Sequence, residues 1–77
     1  MTLDLVKPGY TAVLRTIGGE GALRHRLLDM GLTPKTRITV RKVAPMGDPI
    51  EIFLRGYVLT LREEDAANIS VEEVEKV

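Results

Sequence analysis

The chain has 77 residues, of which 44% are hydrophobic, and its 11 Lys and Arg balance 11 Asp and Glu. This length predicts one domain over residues 1–77, close to the smallest size that holds a core without cross-links. The absence of cysteine excludes disulfides and thiolate metal sites and favours a cytoplasmic location. The N-terminus lacks signal-peptide features and no apolar run approaches membrane-spanning length, so we expect no membrane insertion.

The charges are distributed unevenly along the chain. Residues 1–42 carry eight Lys and Arg against three Asp and Glu, whereas residues 43–77 carry three against eight. A mixed, solvated surface is the simpler interpretation, because the two halves can interleave in a compact fold. The alternative is a dipolar molecule that docks in a preferred orientation.

The first predicted element is a strand. Pro8-Gly9 is typical of a turn, and the apolar run over residues 12–17 predicts strand one after it. The glycine-rich stretch 18–21 has neither the spacing of a dinucleotide fold nor a following Gly-Lys-Ser/Thr. It therefore predicts a flexible connector rather than a phosphate loop.

A helix with a defined end follows this connector. Leu23, Leu27 and Met30 recur at the spacing of one helix face. Gly31 stands where a left-handed residue would end the helix, and Leu32 would then contact Leu27 as in a Schellman motif. The proline three residues after Gly31 prevents continuation.

Two further strand signals lie in the middle of the chain. Residues 36–43 predict strand two, with a bulge near residues 41–42 to bring Val43 back into phase. Residues 50–54 and 57–62 predict a hairpin around Arg55-Gly56. In this register six apolar side chains share one face, while Phe53 faces Val58 on the outer side.

The C-terminal part predicts a short helical turn over residues 63–68, a closing strand over 69–71 and a frayed end over 72–77. Together the elements predict a mainly β fold of about five strands, bent into a small, partly open barrel. One α-helix follows strand one and a helical turn precedes the last strand. Closure of the sheet would protect strand edges that so small a domain could not otherwise cover.

The residues give no indication of a reaction centre. His25 is the one imidazole and lies between two arginines on the polar side of the predicted helix, where solvation is the simpler interpretation. The acidic stretches 63–65 and 72–75 lack the alternating spacing of a calcium loop. We expect no enzyme activity, no cofactor and no metal site, although iron binding by the acidic residues remains a third possibility.

A nucleic-acid partner is the main alternative to a protein partner. Arg37 and Arg41 share one side of strand two, and four other basic residues are near in sequence. Small barrels do bind oligonucleotides, but aromatic residues are few and the net charge is zero, so nucleic-acid binding is not favoured. For a protein partner, the outward apolar residues and the helix supply these candidate contacts: Arg24, Leu27, Leu28, Phe53 and Val58.

Three segments together resemble the FeoA family. They are Arg-Leu-Leu-Asp-Met-Gly-Leu-Thr-Pro at 26–34, Ala-Pro-Met-Gly-Asp-Pro-Ile at 44–50 and Arg-Gly-Tyr-Val-Leu-Thr-Leu-Arg at 55–62, and the likeness extends from about residue 8 to residue 69. The resemblance implies an SH3-like barrel and a cytoplasmic accessory role in ferrous iron uptake. Its implied partner is FeoB, a membrane transporter with a cytosolic GTPase domain, whose activity or assembly it would modulate.

The resemblance also has three qualifications. The domain type is similar to the C-terminal domain of iron-dependent repressors, which keeps a repressor-like, nucleic-acid-binding module as the alternative function. The transition-metal binding that the family implies is not supported by the number of ligands in this chain. Lys35 stands where the family usually has glycine, so we expect a type I turn there rather than a type II turn.

Overall fold

The computed structural model describes residues 1–19 and 21–77. Five antiparallel strands form one sheet in the order β4-β3-β2-β1-β5, and two α-helices and a short 3₁₀ helix pack against it. The predicted fold class is confirmed, as is the placement of a helix after strand one and a helical turn before the last strand. In chain order the elements are the 3₁₀ helix Leu3–Leu5, β1 Tyr10–Ile17, α1 Gly21–Asp29, β2 Arg37–Val43, β3 Ile50–Leu54, β4 Tyr57–Leu61, α2 Glu63–Ala66 and β5 Ile69–Lys76.

The sheet is not closed. Within the described residues β4 pairs only with β3, and β5 pairs with β1, so these two strands form opposite edges. The expectation that closure protects the edges is therefore wrong. On the β5 side the N-terminal residues take that role: Thr2 forms a bridge with Ser70, and the N–H of Val71 donates to the carbonyl of Met1 over 2.8 Å.

The predicted end of α1 is confirmed in detail. Gly31 has a φ of 94°, its N–H donates to the carbonyl of Leu28 over 3.0 Å, and the N–H of Leu32 donates to the carbonyl of Leu27 over 3.0 Å. These two bonds define a Schellman motif. Leu27 and Leu32 are both fully buried, so their contact also forms part of the core.

The predicted hairpin register is also confirmed, from the pair of Leu54 with Tyr57 to the pair of Ile50 with Leu61. The turn residues Arg55 and Gly56 both have positive φ, 46° and 87°, as a type I′ turn requires. The predicted bulge in strand two is present as well, because the pairing of β2 with β3 shifts between Val40 and Lys42. The predicted connector 18–21 includes residue 20, which lies outside the described residues.

The last strand is longer than predicted. Residues 72–77 were expected to be frayed, yet β5 continues to Lys76, which pairs with Tyr10. The reason is a bulge: Glu73 has a φ of 51°, and β5 has one residue more than β1 between two successive pairs. Because a bulge interrupts the two-residue alternation, the sequence pattern of this strand is lost while its hydrogen bonds continue.

The turn before β2 corrects a second expectation. Lys35 has a φ of 71°, and the N–H of Thr36 donates to the carbonyl of Thr33 over 3.2 Å. With proline at the second position and positive φ at the third, this is a type II turn. The N–H of Lys35 also donates to the carbonyl of Leu14 over 2.7 Å, so β1 holds the turn in this conformation although lysine disfavours it.

Candidate partner-binding surface

The outer face of the hairpin carries two neighbouring exposed apolar side chains. Phe53 on β3 and Val58 on β4 are directly opposite each other and are 40% and 43% exposed. Phe53 is opposite Thr39 of β2, and Thr39 is opposite Thr11 of β1, so the row continues as short polar side chains. Most other apolar side chains of the sheet lie in the core. We refer to the exposed residues Phe53 and Val58 as the apolar pair.

Three exposed cations lie near the hairpin turn, and we call Lys35, Arg37 and Arg55 the basic rim. Arg55 donates to the hydroxyl oxygens of Thr33, at 2.8 Å, and Thr36, at 3.2 Å, which brings its guanidinium against the turn that contains Lys35. Arg37 donates to the hydroxyl of Thr11 over 3.4 Å. Hydroxyl partners leave these positive charges uncompensated, so the rim can attract a carboxylate.

The other arginines with observed partners are paired with acids. Arg26 contacts Asp65 at 3.0 Å, Arg41 contacts Glu51 at 3.7 Å, and Arg62 contacts Glu64 at 3.7 Å. The alternative of a nucleic-acid face depended on Arg37 and Arg41 acting together. Glu51 offsets the charge of Arg41, whereas the observed partner of Arg37 is the hydroxyl of Thr11.

The hairpin turn is attached to the end of α1. The hydroxyl of Tyr57 donates to the carbonyl of Met30, one of the carbonyl groups that a helix end leaves without an intrahelical partner. With the bonds from Arg55, this attachment joins two of the three segments on which the family resemblance rests. The sequence pattern predicted Arg55 as a turn residue and Tyr57 as part of the apolar face, but it gave no indication that either side chain contacts the segment after α1.

The candidate contact residues of α1 differ in how far their side chains are buried. Leu27 is fully buried, so it cannot contact a partner on the folded surface and is removed from the candidate set. Leu27 is buried because it lies on the helix face of Leu23 and Met30, which packs against the core. Leu28 is half-buried and packs against the core, while Arg24 is exposed. A contact role for Arg24, Leu28, Phe53 and Val58 remains a prediction, and the two apolar residues of the hairpin are the more exposed of the apolar candidates.

The acidic end of the molecule is organised around α2. Asp48, in the loop between β2 and β3, accepts a hydrogen bond from the N–H of Glu63 over 3.0 Å and so caps this helix. The side chain of Asp65 is 12% exposed and forms an ion pair with Arg26. In the part of the chain that the structure describes, no three His, Cys, Asp or Glu side chains form a cluster that could hold a metal ion.

None of the helices in the described residues has the length and hydrophobicity that crossing a membrane requires. The hairpin, which is anchored to a helix end, presents a small apolar pair with a basic rim, and this geometry supports an interaction between surfaces. Such a combination is typical of a protein contact, since apolar residues at the centre and charges around them give affinity and orientation, respectively.

Comparison with known proteins identifies relatives over nearly the whole chain. The family model for the FeoA domain matches residues 1–73. A fusion of Fe(2+) transport protein A with the Fe(2+) transporter FeoB from Porphyromonas gingivalis is 40% identical over 72 residues, which are 94% of this chain and 8% of the fusion protein. The chain thus corresponds to a small part of that relative.

Solved structures agree on the fold. The solution structure of the FeoA protein from Chlorobium tepidum is 39% identical, with a TM-score of 0.87 over 94% of this chain and 69% of that one. FeoA from Stenotrophomonas maltophilia, described as a procaryotic SH3 domain protein and solved with zinc, is 21% identical, with a TM-score of 0.86 over 99% of this chain and 96% of that one. The latter likeness concerns the fold alone, and it shows that the predicted SH3-like architecture is correct.

Proposed function

Since the chain belongs to the FeoA domain family, we propose that it is a small cytoplasmic accessory protein of ferrous iron uptake that binds a FeoB-type membrane GTPase transporter and modulates its activity or assembly. The observation that carries this proposal is the relative in which the corresponding domain is fused to the transporter. A covalent link keeps two modules at high effective concentration. A domain on a separate chain needs a binding surface to reach the same position.

The apolar pair supplies the centre of such a surface. Phe53 and Val58 are adjacent across two strands, and both strands are fixed by a continuous five-pair register. A rigid sheet presents these side chains without the entropy loss that ordering a flexible loop would require. Large apolar side chains at the centre of a contact usually contribute most of its affinity.

The basic rim supports the same partner class. Lys35, Arg37 and Arg55 are exposed, and Arg55 links the hairpin turn to the segment that contains Lys35 and leads into Arg37. Acidic groups on a partner would be steered towards this end of the sheet before the apolar pair makes contact. In this arrangement ferrous iron is the cargo of the transporter, and the role of this chain depends on contact rather than on a reaction.

The direct test is capture of the purified FeoB-type transporter encoded in the same genome, reconstituted in nanodiscs. Phe53→Thr combined with Val58→Thr keeps β-forming side chains while removing the exposed apolar atoms. We expect affinity to fall by at least about tenfold, because the centre of the contact is lost. Met46→Thr is the matched control, since Met46 is 90% exposed in the loop at the other end of β3 and should bind as the wild type does.

Two measurements separate the parts of the proposal. Wild-type chain that leaves the transporter's GTP hydrolysis rate and its oligomeric state unchanged at saturation would contradict modulation while leaving binding in place. Absence of any binding by the wild type would contradict the proposed function as a whole. Equal binding by the double variant and the wild type would remove the apolar pair from the contact and direct attention to Arg24 and Leu28.

A further inference from the structure

Two cations of the basic rim have a backbone conformation that their side chains disfavour. In the part of the chain that the structure describes, the residues other than glycine with positive φ are Lys35 at 71°, Arg55 at 46° and Glu73 at 51°. Glycine, asparagine and aspartate are the usual residues in this left-handed region. A cation needed only for solubility could lie at any exposed position without backbone strain. Two cations at strained, neighbouring positions therefore indicate a role at this place.

The guanidinium of Arg55 is held beside the turn that contains Lys35. Its Nη2 donates to the hydroxyl oxygens of Thr33, at 2.8 Å, and Thr36, at 3.2 Å. These two threonines are the end residues of that turn, their hydroxyl oxygens are 3.0 Å apart, and Thr36 is only 5% exposed. The position of the charge of Arg55 is thus fixed by a pair of acceptors, one of which is buried.

The two charges have no counter-charge within the described residues. The observed ion pairs involve neither Lys35 nor Arg55, and no hydrogen bond of Nη1 or Nε of Arg55 is observed there. Threonine hydroxyls orient a guanidinium but do not neutralise it. Two positive charges held near each other raise the free energy of the folded chain, and an anion that binds from outside lowers it.

The neighbouring apolar pair indicates which kind of anion fits this place. Arg55 follows Phe53 by two residues, and Phe53 is directly opposite Val58. A group that meets both the cations and the apolar pair is a carboxylate on a protein surface with an apolar side chain beside it. A free inorganic anion would use the charges alone, so the arrangement favours a protein ligand.

Resting on the proposed function, we propose that Lys35 and Arg55 are specificity-determining residues, which bind a carboxylate on the cytosolic surface of the FeoB-type transporter. The strain at both positions is the cost of placing two cations at one point of the contact. A transporter that lacks this carboxylate is discriminated against, because its binding would bury the two cations without a counter-charge.

The first test is carbodiimide coupling, which joins a lysine ammonium to a carboxylate only where the two are in direct contact. The wild-type chain is coupled in complex with the transporter, in nanodiscs of phosphatidylcholine alone, and the linked peptides are identified by mass spectrometry. We expect Lys35 to be linked to an aspartate or glutamate of the transporter. Lys7, exposed in the N-terminal segment, is the internal control and should form no such link.

The second test compares affinities at low salt. Lys35→Ala is expected to bind the transporter about fivefold more weakly than the wild type, as the loss of one ion pair requires. Arg55→Asn, which places a residue suited to the same turn, should weaken binding by at least as much. Lys7→Ala is the matched control, because it removes the same charge elsewhere, and its affinity should stay within about twofold of the wild type.

A third variant separates a contact role from a structural one. Lys35→Gly relieves the backbone strain and removes the charge, so it should gain stability while it loses affinity. A residue that acted only through folding would change stability and affinity in the same direction. A Lys35→Gly variant that binds as tightly as the wild type would overturn the inference.

The other outcomes separate this inference from the proposed function. A complex that forms with no link from Lys35 to the transporter, or equal affinity of Lys35→Ala and Lys7→Ala, would overturn the inference and leave the proposed function standing. Links from Lys35 to an acid of a second copy, recognised by mixing isotope-labelled and unlabelled chain, would overturn the chosen ligand. So would an effect of Lys35→Ala that appears only in nanodiscs with phosphatidylglycerol, since the anion would then be a lipid headgroup. No binding by the wild type would overturn both proposals.

Discussion

The β5 edge and the β4 edge of this sheet are stabilised by different parts of the chain. At β5 the N-terminal segment both covers the strand and enters the core, because Leu3 is fully buried and Val6 is 4% exposed. Among the hydrogen bonds of the described residues, those that attach the β4 side to the segment after α1 come from Tyr57 and Arg55 at its turn end. The difference suggests a division of roles, in which the β5 side contributes stability and the β4 side is kept open for a partner. The following predictions test this division.

The largest expected effect is at the covered edge. Leu3→Ala should lower the free energy of unfolding by about 3 kcal/mol, because it leaves a cavity under the segment that covers β5. For a domain of this size that corresponds to a fall of roughly 15 °C in melting temperature. Urea unfolding followed by circular dichroism measures it.

Leu5→Ala is the matched control for this segment. Leu5 lies in the same 3₁₀ helix but is 63% exposed, so its replacement should change stability by less than about 0.5 kcal/mol. If both variants behave alike, the N-terminal segment contributes little to the folded state, and the contrast between the two edges is smaller than the structure indicates.

The next largest effect is at the attachment of β4. Gly31→Ala should lower the free energy of unfolding by about 2 kcal/mol, because a side chain at φ 94° is strained and its Cβ would lie 2.5 Å from the hydroxyl oxygen of Tyr57. Gly21→Ala is the control, since a Cβ there meets no atom within 4 Å. A Gly31→Ala variant as stable as the control would show that the attachment is not important for stability.

A smaller effect is expected for the hydrogen bond itself. Tyr57→Phe should lower the free energy of unfolding by about 1 kcal/mol, because the carbonyl of Met30 loses its partner. Chemical denaturation of the two variants side by side measures the effect. Tyr10→Phe is the natural comparison, since no hydrogen bond of the Tyr10 hydroxyl is observed among the described residues, and its stability should remain within about 0.5 kcal/mol of the wild type. An equal loss in both variants would mean that ring packing, not the bond to α1, accounts for the change.

The elements with strong local signals were predictable from the sequence. Gly31 and the leucines around it specified the end of α1, and the apolar pattern around Arg55-Gly56 specified the hairpin register, because a slip of one residue would have mixed the two faces. The outward position of Phe53 and Val58 followed from the same register. A periodic pattern carries this information because each position depends only on its near neighbours.

The features that the sequence did not reveal all depend on contacts between distant segments. The extension of β5 depends on its pairing with β1 and passes through a bulge at Glu73, which removes the alternation. The attachment of Tyr57 to Met30 joins residues 27 positions apart. Leu27 was placed on the contact surface because the helix pattern alone does not show how wide the buried face is. The conformation of Lys35 is of the same kind, since its hydrogen bond to Leu14 on β1 holds a φ that its own preferences oppose.

The smallest predicted effect concerns this last residue, which is also part of the basic rim. Lys35→Gly should raise the free energy of unfolding by about 0.5 kcal/mol, because relief of the strain at φ 71° slightly exceeds the greater entropy that glycine gives to the unfolded chain. Lys35→Ala removes the same charge but keeps the strain, so it should not be more stable than the wild type. Urea midpoints of the three proteins distinguish the two causes: equal stabilisation by both substitutions would point to repulsion within the basic rim and not to the backbone. The two variants should bind the transporter equally and more weakly than the wild type at low salt, with the difference decreasing as salt is added, because both have lost one charge of the basic rim.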